Sequence, residues 1–313
     1  PFVCTGCGSC SAACPTGAGA YTVPDNSHLL RRLRTLGDAY AGAGGRNAVL
    51  FVHDLDYGEE MIATLARHGD GLPARVIPFA VNAATQFGIE AALAAAAYGF
   101  GRSVVLARPE PAEENLGLHD TAALANRILG GLGYGDDLVR IIEEPDPDAV
   151  SAILYGLAAG PAIKRSAFEP SGNKRSLMGI ALSHLHAHAP APVDVVALDP
   201  GAPFGTIEVD LAGCTICLAC VGACPTHALV DNPDKPQLSF REEACVQCGL
   251  CKATCPEKVI TLAPRIDFTG AGRNLKVIKE EEPFGCVRCG KPFGVKSTID
   301  TMIARLAGHS MFA

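Results

Sequence analysis

Residues 214–225 read CTICLACVGACP and residues 245–256 read CVQCGLCKATCP. Both spell C-x2-C-x2-C-x3-C-P: Cys214, Cys217, Cys220 and Cys224 with Pro225, then Cys245, Cys248, Cys251 and Cys255 with Pro256, 31 residues further on. Two such runs make the ligand set of a pair of [4Fe–4S] clusters. The first three thiolates of a run fall on one tight loop around one cubane. The fourth lies four residues on, where the chain has begun to turn as a helix and points away, so it reaches the other cubane. The expected sets are Cys214, Cys217, Cys220 and Cys255 on one cluster, and Cys245, Cys248, Cys251 and Cys224 on its twin. A zinc site needs only four such ligands and gives no reason for this spacing with its trailing proline; a disulfide framework is the other alternative.

The repeat extends beyond the cysteines. Ile207 and Val209 before the first run answer Leu238 and Phe240 before the second, and Leu229 answers Ile260. Each half thus reads strand, cysteine loop, short helix, strand, an internal duplication. Between the ligands stand Ile216, Leu218, Val221, Ala223, Val246, Leu250 and Ala253, small or apolar residues that limit water and leave backbone N–H groups near sulfur. This segment resembles the bacterial two-cluster ferredoxin fold, whose ligands cross between clusters in the same way.

Cys4, Cys7, Cys10 and Cys14 with Pro15 form a third copy, CTGCGSCSAACP at 4–15. It is a further [4Fe–4S] signature without a partner run, and the expectation is that the missing half lay upstream. Near the other end, Cys286-Val287-Arg288-Cys289-Gly290-Lys291-Pro292 is a knuckle of the zinc-ribbon or rubredoxin kind. The glycine after the second cysteine permits the tight turn, and both sulfurs face one metal, with zinc expected. A knuckle is half a site.

Fourteen cysteines might suggest a secreted disulfide scaffold, but none lies in the 199 residues between Cys14 and Cys214. Clustered in this way they read as reduced thiolates in the cytoplasm. With 26 basic against 33 acidic residues, net charge −7, the chain lacks the basic footprint of a nucleic-acid binder. Aromatics at 6% and no Trp also argue against base stacking. The longest apolar run, 89–98, is too short to span a bilayer, so no membrane insertion is expected. A chain of 313 residues with 48% hydrophobic content can build a conventional core besides the clusters.

From Ser27, a candidate cap, Leu29, Leu33, Leu36 and Tyr40 mark a helix, with Arg31, Arg32 and Arg34 mostly on its solvated side. Strands are then expected at 47–53, 74–81, 103–107 and 138–142, alternating with helices at 58–68, 85–98, 121–130 and 147–157. Four β-α units imply an open doubly wound parallel sheet. No G-x-G-x-x-G follows a strand, and Asp54 and Asp56 stand where a pyrophosphate would approach, so nucleotide or flavin binding is not expected. A helix is expected over 174–187, ending in His184, His186 and His188. These histidines read as a polar helix end in preference to a metal site. A strand over 193–198 is expected as an addition to the sheet.

The chain is therefore expected to be an α/β doubly wound domain joined to an α+β two-[4Fe–4S] ferredoxin-like module. Its segments are an N-terminal run (1–24), the α/β domain (25–162), a linking helix and strand (163–200), the two-cluster module (201–266) and a C-terminal segment with the knuckle (267–313). The stretches Val49-Leu50-Phe51-Val52, Ala74-Arg75-Val76-Ile77-Pro78-Phe79 and Ala95-Ala96-Ala97-Tyr98-Gly99-Phe100 resemble the delta subunit of methyl-viologen-reducing hydrogenases. That subunit holds a [2Fe–2S] cluster on cysteines. Here the matching region offers His53, Asp54 and Asn82, so this cluster does not carry over. Three cluster runs flanking an α/β body, with a terminal knuckle, resemble the polyferredoxin-type iron–sulfur proteins found alongside formate dehydrogenases. That resemblance implies a non-catalytic electron-transfer subunit with a redox enzyme, such as a formate dehydrogenase, as partner. The rival readings are a cluster-bearing scaffold or maturation factor, and a flavin or NAD enzyme.

Overall fold

The computed structural model describes residues 4–109 and 112–307; the outermost parts of the expected first and last segments, 1–3 and 308–313, lie outside the described residues. The chain divides at Val193/Asp194 into two compact units.

The first unit begins with α1 (Ser9–Ala13) and α2 (Asn26–Gly42). The cap of α2 is Asp25, not Ser27: its carboxylate accepts the His28 N–H at 2.6 Å. Four parallel strands follow: β1 (Val49–Asp54), β2 (Val76–Val81), β3 (Arg102–Leu106) and β4 (Val139–Ile142), in the order β2-β1-β3-β4. Between and after them run α3 (Tyr57–His68), α4 (Ile89–Ala97), α5 (Leu116–Gly131) and α6 (Pro147–Gly156). The strands are apolar on both faces because both are covered. Val49, Phe51, Val104 and Leu106 pack with Met61 and Leu65 of α3 and Val150 and Leu154 of α6. Leu50, Val52 and Val105, pointing the other way, are equally buried.

All nine residues of α4 are buried, which explains its alanine-rich, nonamphipathic sequence. The helix expected from Thr85 is shorter than its pattern: Ala84–Gln86 form one 3-10 turn, and Gly88 in extended conformation precedes the true start. Helix α7 (Lys174–Ala187) closes this unit and packs on α4. Arg32 of α2 does not face solvent freely; it lies 4.5 Å over the Phe79 ring and donates to the Ala80 carbonyl.

The second unit contains β5 (Val195–Ala197), β6 (Gly205–Val209), α8 (Ala219–Gly222), β7 (Leu229–Asp231), β8 (Gln237–Phe240), α9 (Leu250–Thr254) and β9 (Ile260–Asp267). Then come β10 (Lys276–Glu280), β11 (Pro283–Gly285), β12 (Pro292–Val295) and α10 (Lys296–Leu306). Strand β5 corrects the expectation for 193–198. It pairs antiparallel with β9 of this unit and adds nothing to the parallel sheet. The duplication is visible in the registers: Val209 pairs Ile260 where β6 meets β9, and Phe240 pairs Leu229 where β8 meets β7. Strand β10 extends the second ladder on the far edge of β8. Cys214, Cys220, Cys245 and Cys251 are themselves members of this unit's hydrophobic core. A core built partly of ligands ties folding of the unit to whatever those ligands hold.

Candidate metal centres

The loops that carry the cysteines are shaped by residues in left-handed conformation. Five of the six non-glycine residues with positive φ among those described fall in the two central runs. Ile216 (φ 48°), Leu218 (59°) and His227 (51°) in the first answer Gln247 (54°), Gly249 (77°) and Lys258 (56°) in the second. Such a conformation costs a non-glycine residue about 1–2 kcal/mol, and a β-branched residue like Ile216 adopts it rarely. The recurrence at matched positions marks a functional constraint. Left-handed residues in tight loops are the means by which backbone N–H groups form concavities that receive anionic clusters.

Burial repeats as well. Cys214 and Cys220 are buried, Cys217 exposed; Cys245 and Cys251 are buried, Cys248 exposed; Cys224 and Cys255 are intermediate. None of the fourteen cysteines is in a disulfide. Two small cavities lie beneath the loops. One is lined by Cys214, Cys217, Cys220 and Cys255 with Val209, Ile216, Leu238 and Ile260. The other is lined by Cys245, Cys248, Cys251 and Cys224 with Ile207, Leu229, Phe240 and Leu262. Each cavity thus brings together three cysteines of one run and the fourth of the other.

Electrostatics distinguish these sulfurs. Burial, and then the neighbouring cysteines Cys214, Cys217 and Cys251, push the Cys220 thiol up to about 11. Burial pushes Cys251 to about 11 too, with Cys245, Cys248 and Cys224 adding to it against the Lys252 N–H. Converging thiolates in an apolar cavity repel one another and need a cationic core to compensate. Burial raises Cys224 as well, but N–H groups of Leu229, Thr226 and Ala228 and the Thr226 hydroxyl outweigh it, and its thiol ends below the usual value. Four thiolates converging on each apolar cavity, amid inward N–H groups, fit a thiolate-bound iron–sulfur core. Further polar groups brace the loops. Gln247 Nε2 donates to Cys245 Sγ at 3.4 Å. Lys279 Nζ donates to the Leu211 carbonyl at 2.9 Å and to that of Cys214, and is paired with Glu281 at 2.8 Å.

The N-terminal run has the same backbone. Gly6 (φ 75°), Gly8 (84°) and Gly17 (75°) occupy the three left-handed positions. Hydrogen bonding from Thr16, chiefly its hydroxyl, and from the Gly19 and Ala18 N–H groups outweighs burial and lowers Cys14 to about 6, the counterpart of the arrangement at Cys224. The run is fastened to the α/β body. Thr85 Oγ1 donates to the Cys7 carbonyl at 2.6 Å. Lys174 Nζ donates to the Ser11 and Ala12 carbonyls at 2.7 and 2.8 Å, and pairs with Glu90 at 3.1 Å; both side chains are buried. Cys4 and Cys10 are nevertheless exposed.

The knuckle sits at the turn of the β11–β12 hairpin, with Gly290 at φ 71° and its N–H on the Cys286 carbonyl at 2.8 Å. N–H groups of Arg288 and Cys289, then the Cys289 side chain, hold the Cys286 thiol below its usual value. Among the described residues no His, Cys, Asp or Glu joins the two sulfurs to make a group of three. The ring nitrogens of His184, His186 and His188 are tied to the carbonyls of Lys164, Val193 and His184. Beyond β1, Asp54 Oδ1 accepts the Asp56 and Gly58 N–H groups at 3.1 and 2.8 Å, occupying the helix start that a phosphate would use.

Sequence reading missed Gln247, Lys279 and Lys174. The left-handed positions had a readable signal: glycine stands there in the N-terminal copy and at Gly249, and aligning the three runs transfers that conformation to Ile216, Leu218, His227, Gln247 and Lys258.

Residues 213–260 match the 4Fe–4S dicluster domain. The clustered cysteines at 214–255 are therefore those of an iron–sulfur, ferredoxin-type electron-transfer module. Among characterised proteins the chain is similar to the polyferredoxin-like subunit of an aliphatic sulfonate oxidoreductase from Pyrococcus furiosus, 39% identical over 71 residues. The match covers 23% of this chain and 33% of that protein, so the chain spans about a third of the relative's length. Among the described residues no helix is long and apolar enough to cross a membrane.

Proposed function

We propose that this protein relays single electrons through two [4Fe–4S] clusters in its second unit, one held by Cys214, Cys217, Cys220 and Cys255, the other by Cys245, Cys248, Cys251 and Cys224. The observation that carries this reading is the composition of the two cavities, each with three sulfurs of one run and the fourth of the other. When bound, such clusters supply one-electron exchange with little rearrangement. The chain's own residues position the sulfurs, exclude water with Ile216, Leu229, Phe240 and Leu262, and direct N–H groups at the ligands. The β6–β9 and β7–β8 pairings support a ferredoxin-like arrangement, and the strand order β2-β1-β3-β4 supports a doubly wound first unit.

A third cluster at Cys4, Cys7 and Cys10 is supported by the shared backbone conformation, and by analogy with the crossed central pair Cys14 would serve a further one. Zinc at Cys286 and Cys289 is supported by the knuckle geometry. The partner is a cytoplasmic redox enzyme: the sequence resemblance favours a formate dehydrogenase, and the similar archaeal protein is itself an oxidoreductase subunit.

Anaerobic iron and sulfide counting, with EPR after dithionite reduction, tests the relay. Reversibly reducible clusters that pass electrons to a redox enzyme are expected. Participation of four cysteines in the hydrophobic core favours a second reading, a scaffold with structural clusters. Redox-inert clusters at full iron content would decide for it.

A further inference from the structure

The two central loops share left-handed backbone positions but differ in the side chain that stands beside the first cysteine's sulfur. Ile216 and Gln247 are equivalent, at φ 48° and 54°, and each lines its own cavity. Ile216 is buried and offers only C–H groups. Gln247 Nε2 donates to the Thr206 carbonyl at 2.9 Å and to Cys245 Sγ at 3.4 Å. A carbonyl only accepts, so Thr206 fixes which end of the amide faces inward, and the second N–H falls to the sulfur. Gly205 makes the room: a Cβ there would come within 2.8 Å of Gln247 Cδ and 2.5 Å of the Ala263 carbonyl oxygen. The N-terminal run has Gly6 at the same position, with no side chain at all. Three runs thus carry nothing, an apolar chain and an N–H donor at one matched site.

We propose that Gln247 sets the potential of one cluster: its amide N–H on Cys245 Sγ raises the reduction potential in the Cys224/Cys245/Cys248/Cys251 cavity above what an apolar residue would give, and biases a shared electron toward that cavity. The proposal rests on the two-cluster reading above. Adding one electron increases negative charge on the sulfur ligands, and a hydrogen bond to a charged acceptor strengthens accordingly. The apolar walls amplify the difference. No bond breaks and no proton moves; the amide keeps both hydrogens, and the electron arrives from and leaves to the redox partner. Ionic side chains braced near the loops are paired and so compete less: Lys279 with Glu281 at 2.8 Å, Arg265 with Glu242 at 2.8 Å and Asp267 at 3.6 Å. Gln247 acts through Cys245 and is a positioning residue.

The test is a mediated, EPR-monitored redox titration of the full chain, loaded anaerobically, with Gln247→Leu, Gln247→Met and Ile216→Gln. Each Gln247 variant is expected to lower one potential by about tenfold in the reduction equilibrium, 59 mV for one electron, with iron and sulfide unchanged. Ile216→Gln is expected to raise the other. Unmoved potentials at full loading, or both moving together, would overturn the proposal alone. Iron loss in both Gln247 variants would overturn it in favour of a structural role. Wild-type protein that loads no cluster on these cysteines would bring down the two-cluster reading first, and this proposal with it.

Discussion

The central pair of cysteine runs and the N-terminal run share a backbone but not an environment. All three put left-handed residues at the same three positions, 6, 8 and 17 against 216, 218, 227 and 247, 249, 258. In the central pair, four ligands are buried among apolar neighbours and each cavity closes with a cysteine from the other run. In the N-terminal copy Cys4 and Cys10 are exposed. Conformation is thus written within a run, while enclosure comes from pairing. The N-terminal loop has glycine at all three positions, and at Gly8 a Cβ would also come within 2.7 Å of the Tyr21 ring and 3.0 Å of Gln86. The central loops tolerate Ile216, Leu218 and Gln247 there because Ile216 is buried and Gln247 is hydrogen-bonded.

Breaking the pairing should produce the largest effect. Cys217→Ser is expected to strip one central cluster and disturb its neighbour, lowering iron bound by the central pair by about half or more; unchanged iron would refute the crossed ligation. Cys7→Ser, in contrast, is expected to leave the EPR signals of the central pair intact. Thiol reactivity sharpens the contrast in cluster-free protein. Cys14, lowered to about 6, is a thiolate at pH 8, whereas Cys220 and Cys251, raised to about 11, remain thiols. Iodoacetamide at pH 8 should therefore label Cys14 and spare the other two, as peptide mapping can read. The same signs make the cluster-free second unit lose stability as pH climbs from 9, where unfolded thiols ionise, toward 11. The smallest effect concerns backbone strain. Lys258→Gly, at an exposed left-handed site, should stabilise the protein by up to about 1 kcal/mol, and Gly17→Ala should destabilise it by about 1–2 kcal/mol, in denaturant unfolding.

Cysteine spacing singled out the candidate ligands, and apolar alternation made most elements legible. Ligand spacing is local chemistry, and the Val209–Ile260 and Leu229–Phe240 pairings follow from a repeat visible in the chain. What escaped depends on distant partners. A short apolar stretch such as 195–197 says nothing about which strand it joins, and it went to β9 instead of the parallel sheet. The helix pattern from Thr85 ran through Gly88, whose Cβ would come within 3.2 Å of Ala12 Cα, a packing constraint from another part of the chain. Lys174 looked like an ordinary helix start, yet its ammonium is buried against Glu90 and the end of α1. Gln247 carries no local signal in the run, and its place depends on Gly205 at the start of β6, where a Cβ would come within 2.8 Å of its Cδ.

Gly205 lies opposite Pro264, so the segment that carries both central runs begins and ends at neighbouring points. Adjacent ends let a unit be spliced into a surface loop of an unrelated host without stretching either flank. A cassette of this kind can be gained, multiplied or discarded by gene fusion while the host keeps its shape.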